Sequence, residues 1–146
     1  MYFDGSDYLQ IQASDGFNFG TGDFSVELWC ANNYSWDAIG MNPRYLIDTR
    51  INFNDTGFVL RYNAMRRLEF WTSGRIILTD SYVTEPSTEQ YTQRWTHVCV
   101  QRVNGNIALY VNGKKRAENR YIGTIGSPGT FNIGSGRFLT ESAVSS

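Results

Sequence analysis

Apolar and polar side chains alternate along most of this chain, in short runs that turn residues separate. In the stretch "DFSVELWCA", Phe24, Val26 and Leu28 fall on one side of an extended chain. Glu27 and Trp29 fall on the other side. A period of two predicts a strand that has one face against a core. No window sustains the spacing of an amphipathic helix, so the pattern predicts an all-β domain.

About ten such runs are predicted as strands: 7–13, 23–31, 43–49, 57–63, 67–73, 75–80, 95–103, 106–112, 114–120 and 130–135. The pairs Asn104-Gly105 and Asn112-Gly113 predict hairpin turns, because both residue types tolerate the positive φ of a primed turn. Without long crossovers, the strands are expected to pair antiparallel and to form two packed sheets. Residues 35–42 and 81–94 are expected to be surface loops.

Composition and charge limit the classes of function. Aromatic residues make up 15% of the 146 residues, which favours β structure, and the length fits a single domain over residues 1–146. The 13 basic and 14 acidic residues are scattered, so no nucleic-acid partner is predicted. No apolar stretch approaches the about 18 residues of a membrane span, and no leader is recognised. We therefore expect no membrane insertion and, if Met1 is the natural start, synthesis without export by the general secretory route.

The two cysteines, Cys30 and Cys99, fall inside predicted strands. Two cysteines in a chain of this length are not a disulfide framework, and a free buried cysteine is a common small core residue. Structural thiols are therefore favoured at both positions. A bridge would need the two Cα atoms to lie within about 7 Å of each other, and the sequence leaves this alternative open.

Four motifs, in their order and spacing, carry a resemblance to a known family. The stretches "YFDGSDYLQI", "FNFGTGDFSVELWC", "WTHVCVQRVNGNIALYVNGK" and "FNIGS" resemble the laminin-G-like branch of the concanavalin A-like lectin/glucanase superfamily, over about residues 2–136. The resemblance implies a jelly-roll sandwich of two antiparallel sheets. It also implies that Trp95 and His97 are structural strand residues, and that the indoles of Trp29 and Trp95 are packed.

The C-terminal end departs from the family pattern, since the usual last strand is lacking or substituted. Residues 137–146 form an atypical tail that offers only Phe138, Leu139 and Val144 for packing. An open sheet edge invites pairing with another chain. We expect this edge to be filled by a neighbouring subunit, in a homo-oligomer or a larger assembly. There are two alternatives. Either the tail supplies a short irregular substitute for the last strand, or the chain is a fragment.

Catalytic residues are not predicted. The resemblance includes glucanases, whose catalytic strands carry carboxylates at alternate positions, about 5–5.5 Å apart in retaining enzymes. Glu27 and Glu69 are strand carboxylates here, but neither has a second carboxylate two residues away. His97 is the only histidine, so a metal site built from several histidines is excluded. A glycoside hydrolase is therefore the least favoured function.

No cofactor is predicted, and calcium is the alternative left open. Asp4, Asp23 and Asp55 lie near predicted turns, and some domains of the family that the chain resembles bind calcium. Loop carboxylates are ligands of Ca²⁺. No dense run of aspartates supports such a site, so the default role of these residues is to stabilise turns.

Aromatic residues beside polar groups are candidates for binding a glycan. An aromatic ring supports the C–H face of a sugar while polar neighbours orient its hydroxyls. The candidate pairs are Trp36 with Asp37, Trp29 with Glu27, and Trp71 with Glu69. Trp36, in a predicted loop, is the best single candidate for a contact.

Two non-catalytic functions are favoured. Domains that resemble this one are common in phage virion proteins, which implies a capsid-decorating, tail or fibre subunit with an adhesion role. Such a subunit would be made in the host cytoplasm and lie on the virion surface, where it contacts other virion subunits and cell-surface glycans. The alternative is a lectin-like carbohydrate-binding module of a cellular, extracellular protein.

Overall fold

The computed structural model describes residues 7–31, 43–81, 95–126 and 129–134. The strands within these ranges are β1 Leu9–Ile11, β2 Phe24–Cys30, β3 Arg44–Asp48, β4 Phe58–Tyr62, β5 Leu68–Thr72, β6 Arg75–Thr79, β7 Thr96–Val103, β8 Asn106–Val111, β9 Lys114–Arg120 and β10 Phe131–Ile133. Each strand lies inside a run that the alternating pattern predicts. The predicted all-β class is confirmed, and the helical structure in the described ranges is one 3-10 turn at Asp15–Phe17.

The strands form two antiparallel sheets. Sheet 1 has the order β1-β10-β3-β4-β5-β6, and sheet 2 has the order β2-β7-β8-β9. Neighbouring strands pair antiparallel throughout both sheets. The predicted two-sheet sandwich is therefore confirmed. The atypical tail at residues 137–146, which carries the prediction about the last strand, lies outside the described residues.

Both predicted Asn-Gly turns adopt the expected backbone. Asn104 and Gly105 have φ angles of 50° and 77°, and Asn112 and Gly113 have φ angles of 49° and 75°. Two consecutive positive φ angles are the mark of a type I′ turn, whose twist matches that of the two strands it joins. These turns hold β7, β8 and β9 together as a meander, which forms most of sheet 2.

The core lies between the sheets and is built from every second residue of the strands. Phe58 and Phe70 of sheet 1 lie with their ring centroids 5.6 Å apart and anchor it. The inner residues of β2 pack against the same core. Core side chains that are at most 1% exposed come from both sheets and include Phe58, Leu60, Leu68, Phe70, Val98, Val100, Ile107 and Leu109. Complete burial of each such side chain contributes about 1.5–3 kcal/mol to the stability of the fold.

One arginine interrupts the apolar inner face of β7. Arg102 is completely buried. Its guanidinium donates hydrogen bonds to the carbonyl oxygens of Gly20, Gly22 and Gly123, at 2.8, 2.8 and 2.7 Å. It also lies 5.2 Å from the centroid of the Phe24 ring. The side chain thereby ties the segment before β2 to the segment after β9.

Burial also affects the ionisation of this guanidinium. Desolvation lowers the pKa of Arg102, while electrostatic interactions with Tyr121 and Asp23 act in the opposite direction. The Asp23 carboxylate accepts a hydrogen bond from the backbone N–H of Asn104 at 2.8 Å. The first Asn-Gly turn and the buried arginine are therefore held at the same end of sheet 2.

Candidate functional site

The structure places two of the three candidate pairs, on opposite outer faces of the sandwich. Glu27 and Trp29 alternate with the inner residues of β2 and project from the outer face of sheet 2. Glu69 and Trp71 lie between inner residues of β5 and project from the outer face of sheet 1. The pair Trp36 and Asp37 lies outside the described residues. The described candidates therefore form two separate sites.

On sheet 1, Trp71 belongs to a polar network that we call the Trp71 cluster: Tyr45, Arg61, Asn63, Glu69 and Trp71. The Glu69 carboxylate accepts hydrogen bonds from Arg61 Nε at 3.2 Å, Trp71 Nε1 at 3.0 Å and Asn63 Nδ2 at 2.8 Å. Arg61 also donates to the Tyr45 hydroxyl at 3.1 Å. Its guanidinium carbon lies 4.5 Å from the centroid of a Trp71 ring, which is a cation–π contact.

The Trp71 cluster is largely satisfied within the protein. Glu69 and Arg61 are only 5% and 8% exposed, and the Trp71 indole is half-buried. The Phe53 ring meets the indole edge-on, at 5.9 Å between centroids. Sequence reasoning missed Tyr45 and Asn63, because only the strand register shows which residues meet across the sheet. A ligand at this cluster would have to displace or rearrange existing contacts.

On sheet 2, the exposed residues Glu27, Trp29 and Trp95 and the partly buried His97 form a second group, which we call the Trp29 platform. Trp29 and His97 face each other in the β2–β7 register, and their ring centroids lie 5.0 Å apart. His97 Nε2 lies 3.2 Å from Glu27 Oε2, within hydrogen-bond distance. Trp95 directly precedes β7, at the same alternation position as His97.

Exposure distinguishes this platform from the Trp71 cluster. The Trp29 and Trp95 residues are 64% and 60% exposed. The Glu27 side chain is 65% exposed, and the His97 side chain is 23% exposed. The resemblance implies packed indoles at both positions, whereas the structure leaves both in contact with solvent. The alternation of β2 explains this difference for Trp29, because the inner positions are already filled by Phe24 and its inward neighbours.

His97 is also tied to the second Asn-Gly turn. Its backbone N–H donates to Asn112 Oδ1, and its carbonyl oxygen accepts from the backbone N–H of Asn112, both at 2.9 Å. The ring is thus carried by a strand whose position is set by main-chain and side-chain hydrogen bonds. A platform carried on paired strands holds its groups in a more defined geometry than a loop would.

The two strand carboxylates, Glu27 and Glu69, do not form a pair of the glycosidase type. Glu27 and Glu69 lie on opposite outer faces of the sandwich, with the core between them. Two carboxylates on opposite sides of a core cannot flank one glycosidic bond, whose catalytic groups lie within about 10 Å of each other.

The described aspartates among the calcium candidates serve turns. The Asp55 carboxylate accepts hydrogen bonds from the backbone N–H groups of Ile51, Asn52 and Gly57 at 2.6, 2.8 and 2.8 Å. Asp23 caps the Asn104 turn as described above, and Asp4 lies outside the described residues. Within the described ranges, no group of three or more His, Cys, Asp or Glu side chains is arranged to hold a metal ion.

Both cysteines are free thiols. Cys30 belongs to the inner face of β2, and its sulfur lies 3.7 Å from the Tyr62 hydroxyl. Cys99 lies on the outer face of sheet 2, with its sulfur 3.6 Å from Ser25 Oγ. The two side chains point to opposite faces of the same sheet, so no bridge joins them.

Comparison with known proteins identifies the family. A laminin G family model, described as the concanavalin A-like lectin/glucanases superfamily, matches residues 3–143. A search of curated proteins finds no match to the chain. In the described residues, no helix is both long enough and apolar enough to cross a membrane.

Three solved structures illustrate the fold that the chain shares. Domains LG4-5 of the mouse laminin alpha1 chain match with a TM-score of 0.66 at 13% identity, over 99% of this chain and 36% of that one. A candidate carbohydrate-binding protein from Bacteroides ovatus matches with a TM-score of 0.60 at 21% identity, over 86% and 34%. The binding domain of Botulinum neurotoxin DC, in complex with SialylT, matches with a TM-score of 0.53 at 17% identity, over 86% and 36%. The chain thus spans about a third of the length of each.

Proposed function

The chain belongs to the concanavalin A-like lectin/glucanases superfamily, and from this premise we propose that it is a carbohydrate-binding module without catalytic activity. The Trp29 platform is its binding surface. The observation that supports this proposal most directly is the 64% exposure of Trp29, beside an exposed carboxylate and an imidazole on the face of a sheet. Contiguous exposed apolar patches that polar residues surround are typical of interaction sites.

The chemistry of the platform suits a sugar ring. The exposed indole offers an apolar surface to the C–H face of a hexose, and Glu27 and His97 offer polar atoms beside it. Glu27 Oε2 contacts His97, while its other oxygen has no hydrogen-bond partner in the described residues. This oxygen is available to accept a hydrogen bond from a sugar hydroxyl. The likeness to a Bacteroides ovatus protein whose name includes carbohydrate binding supports the same ligand class.

The Trp71 cluster is the less favourable surface for the same task. Its carboxylate already accepts from Arg61, Asn63 and Trp71, and its indole carries the Arg61 guanidinium against one ring. A sugar would have to compete with these contacts, since a buried polar group that loses its partner costs about 1–3 kcal/mol. We propose that this cluster stabilises sheet 1.

Several finer assignments stay predictions. The phage virion role, the homo-oligomer and the extracellular alternative rest on the resemblance and on the tail at residues 137–146. For a virion subunit, the Trp29 platform would serve adhesion to a host glycan. For a cellular protein, it would serve recognition by a lectin-like module.

A glycan array, followed by titration of each positive glycan, tests the proposal. We expect Trp29→Ala to weaken binding by about tenfold or more, because a stacked indole at the centre of a binding surface contributes roughly 1.4 kcal/mol or more. Tyr8→Ala is the matched control, since it removes another exposed aromatic residue, 58% exposed, that lies beside β1 on the other sheet. Its affinity should equal that of the wild type.

Two outcomes would contradict the proposal. The first is an absence of glycan binding by the wild-type protein. The second is a loss of binding on Trp71→Phe with full binding by Trp29→Ala, which would move the site to sheet 1. Thermal unfolding of each variant, followed by circular dichroism, would show whether a loss of binding comes from a loss of fold.

A further inference from the structure

We infer that the Trp29 platform selects uncharged glycans over glycans that carry carboxylates, and that Glu27 is the residue that makes this selection. The inference rests on the proposed function, because it concerns the ligand class of the same surface. It follows from the position of one exposed carboxylate relative to the indole and to the other charges of sheet 2.

Glu27 lies within reach of a sugar that stacks on Trp29. Residues two apart on a strand project from the same face with their Cα atoms about 6.6 Å apart. Trp29 and Glu27 are such a pair on β2, and both are exposed. A hexose ring is about 5 Å wide, so the substituents at its rim would lie a few ångströms from the Glu27 carboxylate. A second carboxylate at that rim would meet a like charge.

Apart from Glu27, His97 and the buried Arg102, the charged side chains of the sheet 2 strands all lie on β9. Lys115 Nζ and Glu118 Oε2 form an ion pair at 2.6 Å on β9, which is the opposite edge strand of sheet 2. Three strand spacings separate β2 from β9, about 14 Å. This distance exceeds the about 8 Å screening length at physiological salt. Among the described residues, Glu27 and its partner His97 therefore determine the electrostatic potential at the platform.

The expected preference follows from the separation of the charges. Two unit charges about 4 Å apart in water interact strongly enough to change an equilibrium constant about fivefold. We expect the wild-type protein to bind an uncharged glycan on the order of fivefold more tightly than its carboxylate counterpart. Since Glu27 is exposed, the preference should decrease at high salt. A purely steric preference would not respond to salt.

The test uses pairs of oligosaccharides with the same linkage and ring configuration, in which one member carries carboxylates and the other an uncharged group at the same carbon. The probes are hexamers of galacturonic acid with free carboxylates and with methyl-esterified carboxylates, and β-1,4-linked mannose hexamers beside their mannuronate counterparts. Binding to the wild type and to Glu27→Gln is measured by calorimetry at pH 8. Each titration is made at 20 mM and at 500 mM salt. Glu118→Gln is the control, because it removes an exposed carboxylate at the far edge of the same face.

The expected result has three parts. The wild type and Glu118→Gln prefer the uncharged member of each pair that binds. Glu27→Gln loses this preference mainly because its affinity for the charged member rises, on the order of fivefold. The wild-type preference decreases at 500 mM salt.

Different failures have different meanings. Equal or tighter binding of the charged member by the wild type, or a preference unchanged in Glu27→Gln, would overturn this inference. If Trp29→Ala still abolished binding in that case, the proposed carbohydrate-binding function would stand. If the wild-type protein bound no member of any pair and no glycan of the array, both the proposed function and this inference would fall.

Discussion

Replacement of Arg102 by methionine tests how much of the domain's stability depends on one buried guanidinium. The side chain donates to three carbonyl oxygens, those of Gly20, Gly22 and Gly123. The substitution Arg102→Met keeps a long unbranched side chain in the core and removes every donor. The three carbonyl groups then lose their charged partner. The segment before β2 and the segment after β9 lose the group that joins them.

The magnitude follows from the hydrogen bonds. A hydrogen bond to a charged group contributes about 1.5–3 kcal/mol, so three contribute about 4.5–9 kcal/mol. Part of this loss of stability is offset, because folding of the variant no longer removes a guanidinium from water. The methionine thioether also packs well in an apolar core. We expect a net loss of about 3–5 kcal/mol from the free energy of unfolding. For a domain of this size, this loss lowers Tm by about 6–20 °C.

The assay is urea unfolding followed by circular dichroism, together with a thermal melt. The matched control is Arg120→Met, which makes the same chemical change at an exposed position of β9. It should change the free energy of unfolding by no more than about 0.5 kcal/mol. A loss within about 1 kcal/mol for Arg102→Met, or equal losses for the two variants, would refute the reasoning from the three hydrogen bonds.

Two further predictions concern the backbone and the thiols. In Gly57→Ala the new Cβ would lie 2.8 Å from Arg50 Cα and 2.9 Å from its backbone nitrogen, so we expect unfolding by urea to show a loss of about 1–3 kcal/mol. Gly113→Asn should change the free energy of unfolding by no more than about 1 kcal/mol, because no atom lies within 4 Å of that Cβ position and asparagine tolerates the φ of 75°. Equal losses of stability at the two glycines would contradict this account. Alkylation of the unfolded, unreduced protein should add one group at Cys30 and one at Cys99, because both thiols are free. Mass spectrometry measures the added mass, and a protein that gains no group would indicate a disulfide bridge.

The strands and turns could be predicted because each depends on neighbouring residues. The inner residues of β2, from Phe24 to Leu28, recur at every second position and meet the core as the pattern requires. The two Asn-Gly turns follow from the conformational freedom of two adjacent residues. Even the polar strand β9 was recognisable, since it follows a tight turn and occupies a sheet edge, where charged side chains are common.

The sites were harder to predict because they depend on pairing between distant strands. Only the register places Arg61 across from Glu69 and His97 across from Trp29. The burial of Arg102 follows from its place in the sequence, because it has the same alternation phase as Val98 and Val100, which both lie in the core. For Trp29, alternation was a better guide than the family pattern, since it placed the indole on the outer face.

The division of β2 between its two faces has a consequence for how such a domain diversifies. Its inner residues pack against the core, while Ser25, Glu27 and Trp29 are exposed on the opposite face. The proposed recognition and the packing of the core therefore depend on different residues of the same seven-residue strand. A library randomised at these three outward positions would begin from an intact scaffold. Descendants of one ancestor could exchange one target for another while their interiors stayed the same.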